Sequence, residues 1–264
     1  MAASTATTTG GPAPHRPGPA PALPGGALPG GAVLRRWVIR RAGELRGRPL
    51  AIDERIGVGY LASLVVERGV MAARGAVRFP GRPSRPFVGR GVRLRGKRQL
   101  TLGRGVTLGH GCLVDATSVE GVHLGDGVTV GRNTRVECTG SVATLGRGLV
   151  VGAGAGLGSD NLYGCAGGVR IGADTIVGEF VSFHSEDHVF TSREVPIRDQ
   201  GVTHRGIEVG AGCWIGSRVT VLDGARIGDG CVIAAGAVVV AGEYPAHGVY
   251  GGVPARLLRM RPED

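Results

Sequence analysis

The chain has 264 residues, a formal net charge of +10, five cysteines, 50 glycines, and only 4% aromatic residues. That length allows one large domain or two small ones. The glycine share without a G-X-Y period excludes collagen, and no run approaches the roughly 18 apolar residues of a membrane-spanning helix. Cys112, Cys138, Cys165, Cys213 and Cys231 form no CxxC pair and are odd in number, which indicates neither a disulfide framework nor a zinc site. Free cysteines point to a reducing cytoplasm. Pro and Gly interrupt every apolar run before Val33, so no signal peptide is expected.

In chain order, residues 1–32 are Ala, Pro, Gly and Thr with almost no bulky side chains, the composition of a disordered tail. Residues 33–84 read as a basic helical segment. Leu34, Trp37, Val38, Ala42 and Leu45 fall at helical spacing before Pro49, and Ile56, Tyr60, Leu61, Leu64, Val65 and Met71 form a second such run. Residues 34–98 hold 17 Arg/Lys against 4 Asp/Glu, a local charge of +13. Two readings stay open: a solvated arginine-rich surface, or peripheral contact with an anionic membrane or glycan carrier. Nucleic acid is not expected, because no aromatic residues are interleaved with the charges.

From residue 85 to 244 the chain is read as a repeat. Aliphatic residues stand six apart at Val209, Ile215, Val221, Ile227, Ile233 and Val239, each followed by Gly or a small residue at most positions. A second small or aliphatic residue recurs four places after each, at Cys213, Val219, Ala225, Cys231 and Ala237. A six-residue period fits neither a lone helix nor an alternating strand. It fits a parallel β-helix, an all-β solenoid whose stacked coils bury what one short strand cannot. The glycine after each aliphatic residue is expected at a tight bend with φ > 0, and the narrow core leaves little room for rings. Earlier hexads run through Leu102, Leu108, Leu124, Val130, Leu145, Val151, Ile171 and Val177, out of phase with one another. The largest break, about 185–206, is a polar inserted loop containing Pro196, long enough to be functional. Residues 245–264 are read as a C-terminal extension.

His184 and His188 stand at the mouth of this loop around Ser185, Glu186 and Asp187. Histidine suits a general base near neutral pH. Acyl transfer from a thioester needs little beyond such a base and support for an oxyanion.

The wider pattern is FHSEDHVF, PIRDQG, GIEVGAGCWIGSRVTVLDGARIGDGCVIAAGAVV and YPAHGVYGGVPARLLR. It resembles the hexapeptide-repeat acyltransferases, in particular the sugar and polysaccharide O-acetyltransferases of the maltose, galactoside and colanic-acid or capsule types. The resemblance covers about Leu145 to Arg259 well and Val88 to Val142 loosely. It implies a left-handed parallel β-helix, a homotrimer with sites between neighbouring subunits, acetyl-CoA as acyl donor without a metal, and a sugar or glycan acceptor. His188 falls on the family's catalytic base, with His184 as competitor and Asp187 beside it. Asn161 falls near a residue that places the acceptor; a turn role for it is equally open. Trp214 and Ser217 fall beside the pantetheine arm, Ala235 on the small residue against which the cofactor lies, and Arg256 and Arg259 near the adenosine phosphates. Many relatives carry Thr-Lys where this chain has Val240-Ala241, which removes two polar cofactor contacts. The implied location is the cytoplasm, or the inner face of the membrane. Alternatives are a different acceptor (a xenobiotic, a nucleotide-sugar amine or serine), a non-catalytic scaffold, and a zinc carbonic anhydrase. For the last, which needs three histidines, His110 and His123 are too far upstream.

Overall fold

A computed structural model describes residues 33, 36–40, 51–53, 55–140 and 144–263. The tail expected at residues 1–32 lies outside the described residues. Of the first expected helix, residues 33 and 36–40 are described and are helical, while Leu34, Ala42 and Leu45 lie outside.

The hexads become short strands that the chain lays down in rotation on three parallel sheets. The first sheet starts with Phe87–Val88, Thr107–Leu108 and Thr129–Val130, and continues with Ile176–Val177, Trp214–Ile215, Val232–Ile233 and Gly248–Gly251. Isolated bridges at Gly156 join its two halves. The second sheet has seven strands, from Arg93–Arg95 to Val238–Val239, and the third has seven, from Leu100–Leu102 to Gly242–Tyr244. One hexad serves one sheet, so three hexads return the chain to a strand beside its starting point. Val209 accordingly pairs with Ile227, and Ile215 with Ile233. The strand pattern runs past residue 244, where the extension was expected: Gly248–Gly251 pairs with Val232–Ile233 in parallel, and Arg256–Met260 reverses to pair with it antiparallel.

Side chains alternate along each strand, and the inward ones from all three sheets form one continuous buried cluster. Two expectations are corrected here. Tyr163 and Phe183 are both fully buried in that core, with ring centroids 4.9 Å apart and planes 16° apart. A ring fits because successive coils rise by one strand spacing, about 4.8 Å, which is also a stacking distance. Except for Gly158 (φ 55°), the glycines that follow the aliphatic residues of the repeat do not take positive φ. A Cβ on Gly172 would lie 2.3 Å from Ala211 N, so glycine there lets one coil approach the next. The positive φ falls two residues later, at Gly212 (φ 62°) for the corner of Gly210, and at Arg218 (φ 61°) for that of Gly216.

All five cysteines are buried. Burial pushes the thiols of Cys112 and Cys213 up to about 11 from 9.0, and that of Cys165 well above the usual range. At pH 8 they are therefore protonated and shielded. A thiol-specific chromogenic reagent at pH 8 should label none of the five in the folded protein and all five after denaturation.

Helix α1 (Val58–Arg78) packs on the first strand of the first sheet. Leu61, Met71 and Gly75 are its buried residues; a Cβ on Gly75 would lie 1.8 Å from Pro86 O. The arginines expected to form a free basic surface are partly spent on the body. Arg68 Nη1 donates to Thr107 Oγ1 at 2.9 Å and its guanidinium lies 4.9 Å from the Phe87 ring centre. Arg78 and Arg82 donate to the carbonyls of Val92 and Leu100, at 2.6 and 2.9 Å, and Lys97 donates to the Arg78 carbonyl. Among the described residues, no helix is long and apolar enough to cross a membrane.

Candidate functional site

The long insertion leaves the stack between Ser182–His184 of the second sheet and Ile207–Val209 of the third. Its base is a two-stranded antiparallel ribbon that pairs Asp187 with Thr203 and His188 with Val202. Two buried polar residues anchor it. Ser185 Oγ donates to Gly164 O at 2.8 Å and accepts from Gly167 N at 3.0 Å. The Asp223 carboxylate, 2% exposed, accepts from the backbone N–H groups of Arg205 (3.0 Å) and Gly206 (2.7 Å) and from Thr203 Oγ1 (3.2 Å). Three donors on one carboxylate offset its desolvation. Asp223 lies in a Leu-Asp-Gly turn that gave no signal of this role, because its partners are some 18 residues away. Gln200 ties the loop interior to Ser192 and Val195. The loop is less polar than expected, since Phe190, Val195, Ile197 and Val202 are exposed on it.

His188 and Asp187 are exposed on the ribbon. His184 ends its second-sheet strand with its side chain outward, between Gly164 and Leu222 of the neighbouring strands. A pairing that sequence reasoning missed joins the two ends of the loop: His204 Nε2 lies 2.6 Å from Glu186 Oε2. His110 and His123 are elsewhere. His110 accepts from Arg90 N–H through Nδ1 and faces Glu67 on helix α1 with Nε2, while His123 contacts the Glu120 carbonyl.

Asn161 does not present a free amide to an acceptor. Its side chain is buried, with Nδ2 donating to Leu157 O at 2.9 Å and Gly178 O at 2.8 Å, and Oδ1 accepting from Val181 N at 2.7 Å. Every polar site of the amide serves the corner, which is the turn role. Asn161→Ala should therefore destabilise the fold by about 2–4 kcal/mol, the cost of several unmade buried hydrogen bonds. Thermal unfolding would read this as a lowered midpoint, and an unchanged midpoint would contradict the structural role.

The other expected residues lie on the first sheet and its corner with the second. Trp214 is 57% exposed on the outer face. The register runs Trp214, Val232, Val249, Arg259 across four strands, roughly 14 Å at one strand spacing per step. Arg256 pairs with Gly251 on the same terminal strand. Beside this column the corner is made of small residues at the coil of Ala235, while Arg218 and the exposed Phe180 occupy the corners of the two preceding coils, the guanidinium 5.8 Å from the ring centre. Ala235 is exposed, and Gly216 stacks so closely on it that a Cβ would lie 2.6 Å from Ala235 N. Ser217 is exposed and its Oγ accepts from Glu179 N at 3.3 Å. An exposed indole, a small-residue step at Ala235 and two arginines at one end form a shelf that suits an extended ligand arm with an anionic end.

The loop and this shelf are not adjacent in one chain. In a three-sheet coil, the corner between the second and third sheets is opposite the first sheet, with the core between them. The structure thus brings Trp214, Ser217 and Ala235 together on one side, with Arg256 and Arg259 at the end of the same sheet. Asp187, His188 and His184 gather on the other. The concavity on the outer face of the third sheet holds none of these residues. It is lined by Glu120, Arg147, Arg170 and Glu208. Apart from Arg205, which also lines it, its charges pair with one another or with a neighbour: Glu120 with Arg147 and Arg170, Glu208 with Arg226. This is a solvated face.

Residues 206–241 match the bacterial transferase hexapeptide family, described as six repeats. Residues 105–138 match the hexapeptide repeat of succinyl-transferase. In these two stretches the chain is similar to hexapeptide-repeat transferases. A probable acetyltransferase of Mycobacterium tuberculosis is 29% identical over 157 residues, which is 59% of this chain and 50% of that protein. The chain thus spans half the length of the curated relative it matches. Among solved structures, a hexapeptide-repeat acetyltransferase of Vibrio cholerae, complexed with acetyl coenzyme A, is 17% identical over 84% of this chain and 98% of that one, with a TM-score of 0.39. AntD, an N-acyltransferase of Bacillus cereus in complex with dTDP and 3-hydroxybutyryl-CoA, is 14% identical over 67% of this chain and 80% of that one, with a TM-score of 0.38.

Proposed function

We propose that this hexapeptide-repeat protein is an acetyl-CoA-dependent acetyltransferase wound as a left-handed β-helix, and that it transfers the acetyl group to a hydroxyl of a sugar, in a surface or secreted glycan or its precursor. The observation that carries the reading is the pairing of transferase hexads with an anchored loop that presents His188 to solvent. Bound acetyl-CoA supplies an acetyl thioester. Trp214, Ser217 and Ala235 hold its arm, and Arg256 and Arg259 meet its phosphates. His188 takes the proton of the acceptor hydroxyl as the oxygen attacks, and returns a proton to the departing thiolate.

Because His188 and the shelf occupy opposite sides of one chain, the reading requires a second copy. A cyclic homotrimer brings the loop of one subunit to the first sheet of the next. The exposed loop residues Phe190, Val195 and Ile197 suit that contact.

The test is free thiol release from acetyl-CoA with a panel of sugars and glycan fragments, and with amine acceptors alongside. Acceptor-dependent release with hydroxyl acceptors supports the reading. Release only with amines would move it to N-acetyl transfer, and protein that neither binds nor turns over acetyl-CoA would favour a scaffold.

A further inference from the structure

The base of the loop carries more than His188. Continuing the ribbon register by one residue places Glu186 opposite His204, where His204 Nε2 and Glu186 Oε2 are 2.6 Å apart and the side chains are 30% and 34% exposed. Side chains alternate along both strands. Asp187 and Thr203 therefore share one face, and Thr203 is fixed to the body through Asp223. Glu186, His188, Val202 and His204 share the opposite face. On it, Glu186 and His188 are two residues apart, about 6.6 Å along the strand, within joint reach of a carboxylate and an imidazole.

The imidazole of His188 makes no hydrogen bond among the described residues. A general base needs a partner that fixes its tautomer and supports the imidazolium. Glu186 is the carboxylate on its face, and His204 engages Oε2 while Oε1 accepts no hydrogen bond among the described residues. We infer that Glu186 is the positioning residue of His188, and that His204 holds Glu186 in place for it. Rotation of the exposed His188 side chain brings one imidazole N–H to Oε1, leaving the other ring nitrogen for the acceptor proton. This inference rests on the reading of His188 as the base.

The other charged groups around the ribbon are few. Asp187 is on the opposite face, His184 ends the strand that feeds the loop, Asp223 lies beneath Thr203 and Arg205, and Arg193, Glu194, Arg198 and Asp199 are in the loop beyond the ribbon, the last two 3.6 Å apart. Within the ribbon, Glu186 and His204 are the ionisable residues on the face of His188, and His184, two residues before Glu186, has the same parity.

The experiment compares wild type, His188→Ala, Glu186→Gln, His204→Ala and His204→Gln, each checked by thermal unfolding, through the pH profile of kcat/KM for the acceptor at saturating acetyl-CoA. Removing the negative charge beside an imidazole makes it easier to deprotonate. Glu186→Gln should thus move the acid limb of the profile to lower pH and reduce kcat about tenfold or more, with KM for acetyl-CoA unchanged. His204→Ala should reduce kcat, and His204→Gln, which retains an N–H donor, should recover most of it. An acid limb unmoved in Glu186→Gln, or a His204→Gln protein no better than His204→Ala, overturns the inference while the base stands. Full activity in His188→Ala overturns the base reading itself, and the inference with it.

Discussion

His188→Ala is expected to lower acceptor-dependent thiol release by about 10²–10⁴-fold, the range that a positioned general base contributes. Coenzyme A affinity should change little, because the contacts assigned to its arm and phosphates come from Trp214, Ser217, Ala235, Arg256 and Arg259 and not from His188, which is on the loop ribbon. Stability should not change either, since the side chain is exposed and makes no hydrogen bond among the described residues. Calorimetric titration with coenzyme A, thermal unfolding and thiol release together separate lost chemistry from lost binding or folding. If His188→Ala retains activity, the base is elsewhere, and His184→Ala is the next variant.

Mixing two inactive variants is expected to restore activity. One carries His188→Ala; the other carries Ala235→Trp, which fills the shelf with an indole at a position exposed enough to accept it. If each site takes its loop from one copy and its shelf from the next, every mixed ring contains one site with both parts intact. For random mixing of equal amounts into cyclic trimers, about one quarter of wild-type activity returns. Co-expression, or denaturation and joint refolding, provides the mixing, and light scattering gives the subunit number. A mixture as inactive as its components, in trimers shown by tagging to be mixed, would mean that the loop and the shelf do not meet across copies.

Much of the architecture was legible because a solenoid repeats its constraints. Each turn needs an aliphatic residue where the sheet faces the core, and a glycine where one corner lies on the next, so Val209, Ile215 and Val221 announce three sheets from one line of sequence. The inserted loop was legible as a break in phase. Contacts across the loop were not. The Glu186–His204 pair depends on the ribbon register, and the anchoring by Asp223 depends on a coil returning beneath Thr203. Asn161 illustrates the opposite difficulty, since a polar residue in a turn looks alike whether its amide faces a ligand or closes a corner. The role of the corner glycines was misplaced for a related reason: local sequence suggests a turn, whereas the tighter constraint is the backbone of a coil some 20 or more residues away.

The reversed final strand and helix α1 have a further consequence. Stacked parallel strands present, at either end, unpaired amide groups that could accept an identical neighbour. Here the first coil is closed by helix α1 and by the Arg78 and Arg82 guanidinium groups on the Val92 and Leu100 carbonyls. At the far end, Arg256–Met260 runs antiparallel along the last strand of the first sheet, a direction that no further hexad can continue. Gly252 O and Ala255 N also pair with Val238 of the second sheet. The ends of the first and second sheets are thereby covered by chain that does not follow the repeat, which blocks the addition of an identical coil there.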